Sequence, residues 1–439
     1  MDVVSKTDIL KKIAAQFSFN IDTLKTRICT DNQNIRKHGI LLFEETGEEL
    51  LTGYSYGEFY DWDLYFENIY MSYFGISKFC ETNTKAFLAR QHQNGFVSRT
   101  LIEPRPHQHF KPFLAQLVLL SLNQGRSDWL REDVIAAQNQ GPADEGIAIM
   151  DEKTYQSGGT YYERLKKYLH HWFWYLDFDK NGLPVWNSCD HSGMDNQFSR
   201  LGTFNAFRYE GVDLACYLYK ELKAMQCIAE TFNFTEDVED FDRQSKALAK
   251  NINTFFWDEK EGFYYDRDEH TGKLVKVKSV AGFLPLYAGV APKDRAQRLV
   301  EEHLCNPEEF WTAFPIPAYA KTEPDFDQNA SDHGCNWRGT TWVPTNYMIF
   351  HGLLAYGFTE IARELVQKTF HMVNDVNSTT REYFNSETGA GYGLDPFWGW
   401  STLAHFMPLE FHLKYNPTAS LHQSLQPLGN NYFDLKFPD

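Results

Sequence analysis

The sequence predicts an all-α fold, an (α/α)6 toroid barrel of helical hairpins with short β-hairpin insertions, and three observations predict it. Apolar residues recur at helical spacing over most of the chain, polar turns ending in glycine follow one helix after another, and strand-like runs are few and short. The clearest stripe, Leu214, Leu218, Leu222, Met225 and Ala229, runs through 210–232 in steps of four, four, three and four. Another places Ile361, Leu365 and Met372 on one face of 359–374. Helices are also expected near 62–74, 76–92, 111–124, 160–176, 240–256, 292–304, 341–357 and 400–412. WVPTNYMIFHGLLAYG (342–357) is apolar nearly all round, as an inner helix of such a barrel must be.

The turns QHQNGFVS (91–98), DFDKNGLPVW (177–186), WDEKEGFYYD (257–266) and NSETGAGYG (385–393) each follow a helix and continue past glycine into an apolar residue. Their spacing is too long for a short-repeat solenoid and suits inner and outer helices joined in pairs. FYYD after Gly262 and LVKVKSV (274–280) flank DRDEHTGK and read as a β-hairpin. With no Pro/Ser linker or composition break, residues 1–439 read as one domain, the first 50 forming a leading element.

Composition narrows the function. A formal net charge of −17 argues against nucleic acid or an anionic membrane as partner. No apolar run is long enough to span a bilayer, and MDVVSKTDILKK has no apolar core with a cleavage site. The seven cysteines show no CxxC or zinc-like spacing and read as reduced thiols of a cytoplasmic protein. Aromatic residues reach 16%, which serves a large helical core and equally a cleft lined for sugars.

Several loops carry candidate chemistry. DFDKNG (177–182) opens like a calcium loop, but its twelfth position is Ser188, not a bidentate Glu, so a solvated turn is expected; a structural cation of other geometry stays open. WNSCDHSGMDNQFSR (186–200) gathers Asp190, His191, Asp195, Asn196 and Arg200, and also reads as a capped helix start. CNWRGTTWVPTNY (335–347) sets Arg338 between aromatics at a helix mouth, where it clamps a ligand or ties down a loop. REYFNSETGAGYG (381–393) holds Glu382 and Glu387 ahead of Trp398 and Trp400, and YGEFYDWDLYFEN (56–68) adds Glu58, Asp61, Trp62 and Asp63. Paired carboxyls with rings and polar groups are what glycoside hydrolysis needs.

SGMDNQ (192–197), NWRGTTW (336–342) and EYFNSETGAGYG (382–393), in this order, resemble the signatures of glycoside hydrolase family 63 in its compact form, the mannosylglycerate and glucosylglycerate hydrolases. FYDWDLYF (59–66) is similar to the trehalase signature of the same clan. The resemblance covers roughly 54–412 and implies an inverting, exo-acting α-glycoside hydrolase that needs no cofactor and no metal, acting on a small carbohydrate. It implies Asp195 as general acid and Glu382, rather than Glu387, as general base. Trp62, Asp63, Trp337, Arg338 and Gly339 are implied to hold the sugar. Gln116, Asn196, Tyr392, Trp398 and Trp400 complete the expected pocket, and Arg208 with Tyr209, or Arg200, is expected to meet a glycerate carboxylate.

The chain departs from the family at Trp186–His191, where Trp-Asp commonly precedes the SGMD motif, and at Thr341, where an apolar residue is frequent. No N-terminal β-sandwich is present, which favours a small substrate over a branched glycan. A trehalase-like α,α-glucosidase is the nearest alternative. A sugar epimerase using His170, His171 or His333 and a lyase using a Tyr/His base are the others, beside a noncatalytic carbohydrate-binding barrel.

Overall fold

The apolar stripes become two concentric layers of helices. The computed structural model describes residues 5–53, 57–123, 125–137, 155–201, 208–331, 334–419 and 425–439. In chain order the helices are α1 (Lys6–Phe17), α2 (Ile21–Asn34), α3 (Asp61–Ser72), α4 (Lys78–Ala89), α5 (Leu114–Leu122), α6 (Tyr161–Tyr175), α7 (Cys189–Ser192) and α8 (Val212–Phe232). They continue as α9 (Thr235–Phe255), α10 (Leu284–Ala288), α11 (Lys293–Arg298), α12 (Val343–Ala355), α13 (Thr359–His371), α14 (Met407–Leu413) and α15 (Leu428–Phe433).

Helices α3, α5, α8, α10 and α12 pack side by side in that order, and the 3-10 turn Ser401–His405 leading into α14 packs on both α12 and α3. This closes the inner ring of an (α/α)6 toroid. Outside it α4 packs on α5, α9 on α8 and α13 on α12, while α1 and α2 cover α14 and the 3-10 turn. The layers differ as burial demands. Every residue of α3 is buried, whereas α9 buries only Phe241, Ser245, Leu248 and Ile252, a single stripe. Pro344 in the first turn of α12 has no N–H to leave unsatisfied there and presets the helical φ.

Local chemistry sets the boundaries. Thr160 and Glu163 form a capping box that starts α6. Helix α9 begins at Thr235, five residues before the expected start, because its first turn is polar and shows no stripe. The segment expected as a helix near 292–304 is α11 running into a π-helix, Leu299–Leu304. The expected hairpin around DRDEHTGK forms where Asp266, the last residue of FYYD, pairs with Val275 of LVKVKSV, while Phe263 and Tyr264 pair backwards instead. β3 (Trp257–Asp258) pairs with β4 (Phe263–Tyr264), and β5 (Asp266–Arg267) with β6 (Leu274–Val275), making two hairpins where one was expected. β7 (Tyr383–Phe384) and β8 (Gly391–Tyr392) form a further hairpin that presents Glu382.

Candidate active site

A cleft of about 420 Å³ opens at the N-terminal ends of inner helices, walled by the loops that enter them. Tyr60, Trp62 and Asp63 come from the start of α3, and Asp190, Gly193, Asp195 and Asn196 from α7 and the loop behind it. Trp337 and Trp342 precede α12, Glu382 precedes β7, and Trp400 precedes the 3-10 turn. Trp337 stacks on Trp342 at 3.7 Å with planes 8° apart, and Trp62 meets Trp337 and Trp400 at 5.8 Å each. This aromatic wall offers flat apolar faces of the kind that small-ligand pockets use.

Asp195 is held by a tight local design. Helix α7 ends at Gly193 with φ 81°, where an added Cβ would lie 3.0 Å from both Lys111 Cε and the Trp62 ring. Ser192 Oγ accepts from Met194 N at 3.0 Å and donates to Cys189 O at 2.7 Å. Beyond Asp195, Asn196 Oδ1 accepts from Trp337 N at 2.7 Å, and Gln197 Nε2 donates to Trp337 O. The SGMDNQ and NWRG segments, distant in sequence, are thereby stitched into one wall.

The two carboxyls that line this cleft have unlike settings. Asp195 Oδ1 is buried with no hydrogen-bond partner among the described residues. Burial pushes the Asp195 carboxyl up to about 6, with Asp190 adding to the rise and Arg99 and Lys111 opposing it. Those two cations are already engaged: Lys111 Nζ lies 2.8 Å from Asp61 Oδ1, and Arg99 Nε 4.0 Å from Asp61 Oδ2. Burial also raises Glu382, but Leu394 N donates to its Oε2 at 3.0 Å and Cys335 Sγ to its Oε1 at 3.4 Å, which favours the charged form. Gly393 leaves room for this carboxylate, since a Cβ there would sit 2.3 Å from Oε2.

The cleft is also lined by Arg99, Arg105 and Gln108. Their loop is pinned by buried Glu58, whose carboxylate accepts backbone N–H bonds from Leu101, Ile102 and Glu103 at 3.0, 2.9 and 2.8 Å. Arg99 donates to Asp190 O and reaches Gln108 Oε1 at 3.3 Å.

Of the expected site residues, the structure brings Asp195, Glu382, Trp62, Asp63, Trp337, Asn196 and Trp400 to this cleft. It places the others elsewhere. Arg338 pairs with Asp327 at 2.7 Å, and Gly339 lies so close to Asp327 that a Cβ would meet its carbonyl oxygen at 2.5 Å. Gln116 is buried against Glu221, and Trp398 donates to Thr52 O at 3.0 Å. Tyr392 packs on Tyr383, and its hydroxyl lies 3.5 Å from Asn385 Nδ2. Arg200 is locked between Asp213 and Asp266, with Tyr209 beside it; Arg208 faces Glu269 at 3.7 Å and lies over the Phe178 ring. Neither arginine lines this cleft.

Glu387 pairs with Lys321 at 3.2 Å outside the cleft. His171 bonds Asn94 O at 3.0 Å, His170 stacks on Trp174, and His333 lies outside the described residues. In the 177–182 turn, Asp177, Asp179 and Asn181 accept from their own loop's N–H groups, and no cluster of metal-ligating side chains occurs among the described residues. Arg99, Arg105, Gln108 and Cys335 were missed from sequence. Arg99, Arg105 and Gln108 stand in a loop without motif spacing, whose one signal was that RTLIEPRPHQH (99–109) is arginine-bearing and broken by proline, while Cys335 adjoins NWRGTTW without a mark of its own.

Comparison with known proteins places this geometry in a lineage. A family model described as the mannosylglycerate hydrolase MGH1-like glycoside hydrolase domain matches residues 60–401. The mannosylglycerate hydrolase of Thermus thermophilus is 34% identical over 148 residues, 33% of this chain and 32% of that protein, so the match spans about a third of the relative. The structure of a GH63 mannosylglycerate hydrolase from Thermus thermophilus in complex with glucose superposes with a TM-score of 0.67 at 17% identity, covering 89% of this chain and 99% of that one. Neutral trehalase from Saccharomyces cerevisiae gives 0.51 at 17% identity, over 90% and 82%. At these identities the two structures speak for the toroid fold.

Proposed function

Since the chain belongs to the mannosylglycerate hydrolase MGH1-like glycoside hydrolase family, we propose that it is an inverting, exo-acting glycosidase releasing glucose or mannose from a small α-glycoside with an acidic aglycone such as glycerate. The observation that carries this reading is a pair of carboxyls of unlike setting in one aromatic-walled cleft, Asp195 raised to about 6 and Glu382 holding two donors. Asp195 donates its proton to the glycosidic oxygen as the C1–O bond breaks. Glu382 takes a proton from water, whose oxygen bonds C1 from the opposite face, so configuration inverts and no covalent intermediate forms. Trp62, Asp63 and Trp337 hold the sugar beside them.

The acidic aglycone is supported by Arg99 and Arg105, which line the same cleft, as Arg200 and Arg208 do not. A neutral disaccharide such as trehalose gives these arginines nothing to pair with, which sets the trehalase-like reading second. The test is a panel of α-glucosides and α-mannosides, including glycosylglycerates, trehalose, kojibiose and nigerose, with the released anomer followed by NMR. Initial release of the β-anomer from a glycosylglycerate is expected; initial α-anomer overturns inversion, and cleavage of trehalose alone overturns the aglycone. Asp195→Asn and Glu382→Gln should each cut kcat by about 100-fold or more.

The seven cysteines are all unpaired, which supports a reducing compartment, and we place the protein in the cytoplasm; cell fractionation checks this. No helix among the described residues is long and apolar enough to cross a membrane.

A further inference from the structure

Cys335 stands between the two carboxyls. Its Sγ donates to Glu382 Oε1 at 3.4 Å, Asp195 is near enough to bear on the thiol, and all three residues line the same cleft. The loop that carries it is fastened to the strand beside Glu382: Tyr383 Oη donates to Gly334 O at 2.9 Å and accepts from Ser331 N at 3.2 Å. Asn336, the next residue, donates to Asp327 O at 3.1 Å and Asn329 O at 2.8 Å, so the thiol has little freedom to leave. Asp195 Oδ1, in the same cleft, is buried without a hydrogen-bond partner among the described residues.

A thiol offers one S–H donor and a sulfur that accepts weakly. In an inverting site one carboxyl must enter the cycle protonated and the other ionised. We propose that Cys335 is a positioning residue that assigns the proton between them: its single S–H donates to the Glu382 carboxylate, which keeps the base ionised and leaves Asp195 as the protonated member. The assignment rests on the acid–base reading above and adds a residue that the reading does not require.

The thiol stays protonated in this setting. Burial and the nearby carboxyls of Asp195, Glu382 and Asp63 hold it well above the usual thiol range, so it serves as a donor and a poor nucleophile. The other groups that bear on the pair are Arg99, Lys111 and Asp190 around Asp195, and Leu394 N on Glu382. None of these connects the two carboxyls to one another.

Three variants and two measurements test this. In Cys335→Ala, Glu382 loses a donor. The acidic limb of kcat/KM should then move to higher pH, narrowing the bell by about one unit, with kcat down by about tenfold. Cys335→Ser, which both donates and accepts, should restore most of the width. An Ala profile superimposable on wild type, or a Ser profile as narrow as Ala, overturns the assignment. Separately, the pH dependence of Cys335 alkylation by iodoacetamide, resolved by peptide mass spectrometry, should shift to lower pH in Glu382→Gln, because one acceptor charge is gone; an unchanged curve overturns the contact. The alkylation arm needs no turnover. A wild-type chain that cleaves no glycoside, or an active Asp195→Asn, defeats the acid–base reading itself and is thereby distinguished.

Discussion

Asp195 and Glu382 bear the same functional group, and their surroundings divide the labour that the proposed mechanism gives them. Burial raises both, but Glu382 receives an N–H and an S–H, whereas Asp195 Oδ1 receives nothing. The sign of the pH dependence follows. Above about 6 Asp195 loses the proton it must donate, so kcat/KM should fall toward tenfold per pH unit on the alkaline side. Below the raised Glu382 value the base is protonated, and the rate falls again. Arg99→Gln removes a cation that opposes the Asp195 shift, so the alkaline limb should move to higher pH. The same variant should raise KM for a glycosylglycerate by about tenfold or more and leave an uncharged aryl α-glycoside nearly unaffected. Equal KM changes for both substrates would remove Arg99 from aglycone recognition. Asp195 and Glu382 were legible because each sits in a recognisable run of residues. Arg99 and Cys335 were not, since what makes them notable is the company that folding gives them.

Short connecting elements, more than the long helices, fix the site. Gly193 closes α7 at φ 81° with the Trp62 ring and Lys111 where a side chain would go. Gly193→Ala should therefore cost about 1–3 kcal/mol and displace Asp195, seen as a lowered Tm together with a loss of kcat. Asn196→Ala removes the acceptor for Trp337 N and leaves a backbone donor unpaired, at about 1–2 kcal/mol. Its signature should be a raised KM, because Trp337 belongs to the aromatic wall. The long helices were readable because their apolar stripes repeat. Helix α10 was not: it has five residues, contains Pro285, and is too short for a period to show. The two hairpins at 257–275 were read as one because strands of two residues carry no alternation.

At the scale of the whole chain, periodicity told which segments are helices and that some must be buried on all sides. It could not tell which inner helix meets which, since apolar surface is not directional. The closure of the ring depends on polar groups that no local pattern marks. Buried Glu410 in α14 accepts from Tyr73 at the end of α3, from Tyr347 in α12 at 2.9 Å and from His351 in α12 at 3.1 Å. One carboxylate thus joins the first inner helix to the last two, over 337 residues of sequence in the case of Tyr73. Glu410→Ala leaves these donors buried and unpaired, so unfolding should become easier by about 3–5 kcal/mol. Glu410→Gln keeps an acceptor of the same size and should cost less than half as much. The cleft itself is built by loops at the N-terminal ends of the inner helices, and none of its lining residues touches Glu410 through the hydrogen bonds above. Both variants should therefore keep the wild-type pH profile at 25 °C while their Tm falls in that order. A narrowed or shifted pH profile in Glu410→Gln would mean that ring closure and the acid–base pair are coupled, and that the toroid's seam belongs to the catalytic machinery.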